Sequence, residues 1–157
     1  SMTDYSIKTY EVFPQKLFVF QQTLYLVVFF PKYKDNLALA VHRIKEINSI
    51  DNSKPIPPFN LAEFRKKRFG VFTGQLETIE LLVNPNFTKW FRERQWHPTQ
   101  EIIENQDNTL TIKMTIPVTP DFLTWLIGWS EGVIVLSPPS LRDLLKQKLS
   151  KILSQYE

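Results

Sequence analysis

Over the first third of the chain, apolar residues come in short runs: Ile7 to Val12, Lys16 to Phe20, Thr23 to Phe30, Leu37 to Val41 and Ile44 to Ile50. Runs of this length, rich in Val, Ile, Phe and Tyr and separated by a few polar residues, predict strands. Gln21-Gln22 reads as a tight hairpin connection and Pro31 to Asn36 as a longer hairpin loop. Closely spaced strands with hardly any helical periodicity predict a small β-barrel, because closure removes the open edges that invite aggregation. From Asp51 to Pro58 the pattern stops. Three prolines there restrict φ and remove backbone donors, so the stretch reads as a domain boundary. Asn60 with Glu63 three positions on has the form of a capping box and predicts a short helix ending near Arg65 to Arg68.

The second half alternates two periods. Strand Leu76 to Val83, helix Pro85 to about Arg92, strand Thr99 to Glu104, strand Thr109 to Ile116, helix Pro120 to Trp129, strand Val133 to Leu136 and a final helix give the order β-α-β-β-α-β-α. In Thr109 to Ile116 every second residue is apolar, which places Leu110, Ile112, Met114 and Ile116 on one buried face, and Asp107-Asn108 supplies the turn before it. The last helix spaces Leu141, Leu144, Leu145, Leu149, Ile152, Leu153 and Tyr156 along one stripe, which must be covered. The run matches a ferredoxin-like βαββαβ unit with an extra C-terminal helix. The expected class is α+β: a barrel over 3–50, a Pro-rich linker with a short helix over 51–74, and the ferredoxin-like domain over 75–157.

Composition narrows the functional classes. At 157 residues, 43% of them hydrophobic, the chain can bury a core and is not a disordered one. The absence of cysteine removes thiolate nucleophiles and Cys-based zinc sites and suits a reducing compartment, so cytoplasm is the expected location. The longest apolar stretch, Leu24 to Phe30, is far below the roughly 20 residues of a membrane span. Ser1 before Met2 looks like the remnant of a cleaved tag. Up to Arg68 there are 11 Lys+Arg against 6 Asp+Glu, and beyond it 8 against 10, an asymmetry that suits an anionic partner for the first half and equally an ordinary solvated surface.

Candidate chemistry is that of binding. The chain has two histidines, His42 and His97, four glycines and no Gly-rich phosphate loop, so no enzyme activity, cofactor or metal is expected. His97 reads as a packed or hydrogen-bonded histidine; a ribonuclease using His42 or His97 as general base is the less favoured alternative. Tyr25 and Arg43 sit on predicted strands that a barrel can bring together, with Lys16 able to join them, so that phosphate is neutralised where a base stacks. Arg43 paired with Glu46, and Tyr25 half-buried in the core, are the plainer alternatives. Arg65 and Lys66, in the basic run to Arg68, read as a solvated helix end or as phosphate or interdomain contacts. Trp90, Phe91 and Trp96 read as core or interface anchors, with Arg94 projecting from the same segment.

Several segments together resemble the WYL-domain family of bacterial transcriptional regulators. Pro14-Gln15-Lys16-Leu17 resembles the family's Pro-x-x-Leu, Leu24-Tyr25-Leu26 stands at its Trp-Tyr-Leu signature and Val41-His42-Arg43-Ile44 at its Leu-Asp-Arg-Ile. Phe69 to Phe72, Glu93 to Gln100 and Leu136 to Arg142 resemble segments of the family's C-terminal extension. The resemblance implies an Sm-like (SH3-type) barrel followed by a ferredoxin-like extension. It also implies an effector-sensing and dimerisation region that binds single-stranded nucleic acid or a small nucleotide-like effector through Tyr25, Arg43, Lys16 and His42. A homodimer is implied, as is DNA binding through a helix-turn-helix that this chain does not contain. The chain departs from the family at Leu24 (Trp), His42 (Asp), Leu37 (a common Arg) and Leu39 (an aromatic). Those departures support the alternative of a pure assembly module whose pocket has decayed.

Overall fold

The computed structural model of the chain describes residues 7–51 and 55–156. Ser1-Met2, residues 3–6 of the expected barrel and Asn52 to Lys54 of the proline-rich stretch lie outside the described residues. The fold is α+β, and it divides into two compact units, Ser1–Asn60 and Leu61–Glu157.

In the first unit, β1 (Phe13–Phe20), β2 (Thr23–Phe30) and β3 (Asp35–Ala40) form an antiparallel sheet in the order β1-β2-β3. Gln21 and Gln22 connect β1 to β2 with φ of 44° and 64°, the left-handed pair that matches the twist of a two-residue hairpin. Pro14 lies on an edge strand beside a register shift, where its missing N–H interrupts no ladder. Among the described residues of this unit, Val27, Val28 and Phe30 are buried. The strands expected at Ile7 to Val12 and Ile44 to Ile50 are not found. Those residues are nearly all exposed and unpaired in any sheet. Apolar alternation makes a strand only where a neighbouring backbone takes up its N–H and C=O groups.

The second unit runs α1 (Leu61–Lys66), β4 (Arg68–Phe69), β5 (Phe72–Thr73), β6 (Leu76–Val83), α2 (Thr88–Glu93), β7 (Glu101–Glu104), β8 (Leu110–Pro117), α3 (Pro120–Ile127), β9 (Val133–Ser137) and α4 (Pro139–Leu153). Strands β4 and β5 form a small hairpin, and the other four form an antiparallel sheet in the order β7-β8-β6-β9. Gly70 turns the hairpin at φ 71°, a conformation that glycine adopts without strain. On β8, Leu110, Ile112, Met114 and Ile116 are buried to within 1%, as the alternation predicts, and meet Ile79, Leu81 and Val83 of β6 and Phe122 and Leu126 of α3. The Thr119 hydroxyl accepts from the Phe122 N–H at 3.3 Å and caps α3. Gly132 packs against Phe87, whose ring lies 2.6 Å from where a Cβ would stand, so no larger residue fits without movement. Helix α4 is covered only in its first half. Leu141 is buried and Leu144 and Leu145 pack on the core, but Leu149, Ile152, Leu153 and Tyr156 are exposed.

The segment 61–74 belongs physically to this second unit. Phe69 is 4% exposed within its core and packs against Phe122 and Trp125 with ring centroids 5.1 and 5.3 Å apart. The Val71 N–H donates to Asp121 Oδ2 at 2.8 Å. Arg68, the last residue of the basic run, is a correction to the solvated-end reading: it is 5% exposed, its guanidinium carbon lies 3.9 Å from the Phe64 ring centroid, and it donates to the Phe64 carbonyl. No helix among the described residues is long and apolar enough to cross a membrane.

Candidate ligand-binding site

Register decides which residues of the first sheet share a face, since directly paired residues point the same way and neighbours along a strand point oppositely. Phe18, Tyr25 and Ala40 form one rung, and Lys16, Val27 and Ala38 the next on the same face. Lys16 and Tyr25 are therefore brought together on one face. Lys16 is exposed; Tyr25 is half-buried, with its ring stacked on Phe18 at 5.5 Å and 22°. Arg43, expected on a strand, lies with His42 in a 3-10 turn, Val41–Arg43, that follows β3 directly. That turn begins one residue after Ala40, so it stands at the Tyr25 end of the sheet, and both His42 and Arg43 are exposed. The ion pair of Arg43 with Glu46 is absent. The Glu46 carboxylate instead accepts from Asn48 Nδ2 at 2.9 Å, and among the described residues no carboxylate pairs with Arg43.

The opposite face carries three of the four residues at which this chain departs from the WYL pattern, Leu24, Leu37 and Leu39. Leu17, Leu26 and Leu39 share a rung, Val19 pairs with Leu24, and Val28 with Leu37. Apart from Val28 these are exposed or half-buried, so the three leucines that replace an aromatic or charged residue sit together on one aliphatic wall. Sequence reading noticed each replacement singly; only the pairing register makes them neighbours.

In the second unit, Arg65 and Lys66 lie exposed at the end of α1, where Lys66 pairs with Glu63 at 2.8 Å. Arg94 is exposed, with its guanidinium carbon 5.1 Å from the Trp90 ring centroid and 5.5 Å from that of Trp96. Phe91 is fully buried and Trp96 packs against Trp125 and Trp129, as anchors do, whereas Trp90 is 46% exposed.

His97 is 2% exposed and fully occupied. Its Nε2 donates to the carbonyls of Arg65 and Arg68 at 2.9 and 3.0 Å, which fixes the hydrogen on that nitrogen. Its Nδ1 accepts from the Thr99 N–H at 3.2 Å and lies 2.8 Å from the Thr99 hydroxyl. Burial holds its pKa below the ordinary histidine value, partly opposed by the two carbonyl bonds. A ring so enclosed has no free nitrogen for substrate, and the ribonuclease alternative loses His97 as its base.

The family model of the WCX domain matches residues 75–153, half of the chain. No curated protein matches. Among solved structures, the chain is similar to proteasome accessory factor B/C (PafBC) of Arthrobacter aurescens, at 13% sequence identity and a TM-score of 0.44, covering 93% of this chain and 22% of that one. The chain thus spans less than a quarter of the length of that relative.

Proposed function

This chain belongs to the WCX-domain family, and from that premise we propose that it is the effector-sensing and dimerisation region of a WYL-type transcriptional regulator, with an anionic, nucleotide-like or single-stranded nucleic-acid ligand bound on the first unit. In this reading the first sheet is the core of an Sm-like barrel. The second unit is the ferredoxin-like extension, a reading supported by its β7-β8-β6-β9 strand order. The observation that carries the ligand site is Arg43: an exposed guanidinium with no carboxylate partner among the described residues, in a turn at the same end of the sheet as Tyr25. Lys16 lies on the Tyr25 face, one rung away. In this reading the two cations and the aromatic ring converge on a phosphate carrying a base. A ligand that contacts these groups better in one arrangement of a homodimer shifts the population toward it, and a helix-turn-helix elsewhere in the full protein reports the shift on DNA. No catalytic step is required.

The test is anisotropy titration of short labelled single-stranded DNA and RNA at two salt concentrations. Arg43→Ala is expected to weaken binding and to lower the salt slope by about 1, one phosphate contact. A slope indifferent to that substitution removes the site.

The aliphatic wall of Leu17, Val19, Leu24, Leu26, Leu37 and Leu39 favours a second reading, a homodimerisation module without a ligand. It predicts a dimer in sedimentation that Leu24→Lys dissociates, together with no oligonucleotide binding.

A further inference from the structure

A shallow depression of about 330 Å³ opens in the second unit between the end of α2 and β7, lined by Arg92, Glu93, Arg94, Gln95, Gln100 and Ile102. Its two arginines are in opposite conditions. Arg92 is committed: Nε and Nη2 donate to the two carboxylate oxygens of Glu104 at 2.8 and 2.7 Å, and Nη1 donates to the Thr88 hydroxyl at 3.0 Å. Arg94 makes only cation–π contacts, with its guanidinium carbon 5.1 and 5.5 Å from the Trp90 and Trp96 ring centroids. Among the described residues no side chain or carbonyl takes up its five N–H donors.

Arg94 is also held in place. Gln100 clamps the backbone on either side of Gln95: its Nε2 donates to the Arg94 carbonyl at 3.1 Å and its Oε1 accepts from the Trp96 N–H at 2.8 Å. Trp96 is in turn fixed by the aromatic core through Phe91, Trp125 and Trp129. The one carboxylate lining the depression, Glu93, lies 3.9 Å from Lys89 Nζ, outside hydrogen-bond distance. A preorganised fork of donors loses little freedom on meeting an oxyanion, and charge-assisted pairs of this kind are roughly twice as strong as neutral ones.

We propose that Arg94, supported by Trp90, Trp96 and Gln100, is a second binding site on this chain, specific for a terminal phosphate or carboxylate of a small ligand. The site is independent of the one proposed on the first unit.

The indoles beside Arg94 report its occupancy. In the full chain, the Trp90 and Trp96 indole N–H resonances are followed while inorganic phosphate, acetate and adenosine monophosphate are added separately at constant ionic strength. Saturable shifts of these resonances are expected, with phosphate against acetate distinguishing the two oxyanion sources. Arg94→Lys keeps the charge and loses the fork, and is expected to weaken binding about tenfold. Arg94→Ala is expected to abolish saturation, while Arg142→Ala leaves the affinity unchanged. Should Arg94→Ala unfold the unit, Trp90→Leu tests the same site by removing one supporting ring, and weakened binding is again expected. Shifts that stay linear with all three anions, or saturation that survives Arg94→Ala in a folded protein, overturn the proposal.

Discussion

At the scale of single residues, His97 ties four segments together: the end of α1, the start of the β4–β5 hairpin, Thr99, and through the Thr99 hydroxyl the backbone of Thr115 on β8. Its proton bookkeeping therefore reaches the fold. The folded-state pKa is depressed, so the unfolded chain binds more protons than the folded one as pH falls below about 6.5, and stability falls with it. Above about pH 7 both states are neutral at this group and its contribution is constant. Urea midpoints measured across pH 5 to 7.5 are expected to decline on the acid side, and His97→Gln to flatten that decline while lowering stability throughout. The sequence already favoured a packed histidine here, on the strength of its aromatic neighbour. That its partners are carbonyls some 30 residues away was invisible, because hydrogen bonds to backbone leave no trace in residue type.

Among elements, the β1–β2 hairpin shows local and tertiary demands in conflict. Gln21 and Gln22 both adopt positive φ, a region that costs an L-residue of this kind about 1–2 kcal/mol and that Asn-Gly occupies readily. Replacing the pair by Asn-Gly is expected to stabilise the first unit by about 1 kcal/mol, read as a shift of the urea midpoint at unchanged slope. The turn was legible because two polar residues between apolar runs allow little else. The runs at Ile7 to Val12 and Ile44 to Ile50 looked equally strand-like, but among the described residues β1 and β3 pair only with β2, and residue type does not say which backbone lies alongside. Helix α4 shows the same limit. Its apolar stripe was read correctly, yet only the first half meets the core.

For the whole molecule, the relevant division falls between Asn60 and Leu61, and the second unit extends N-terminally beyond the family match at 75–153. A fragment covering 61–157 keeps Phe69, the His97 bonds and the Val71–Asp121 bond; one starting at 75 loses all three. Losing the buried Phe69 side chain alone costs about 2–3 kcal/mol, so the shorter fragment is expected to melt on the order of 10 °C lower in calorimetry. Equal melting temperatures would show that 61–74 is merely attached. From Leu76 onward the strand and helix order and the buried alternation of β8 were determined by sequence alone, because periodicity is a local property that a packed layer only has to accept; the β4–β5 hairpin was not read from it. Which residues became neighbours was decided by tertiary structure: Lys16 with Tyr25, the three leucines on one wall, Arg94 between two indoles. Register, burial and unpaired donors are relations between distant segments, and no single stretch of sequence contains them.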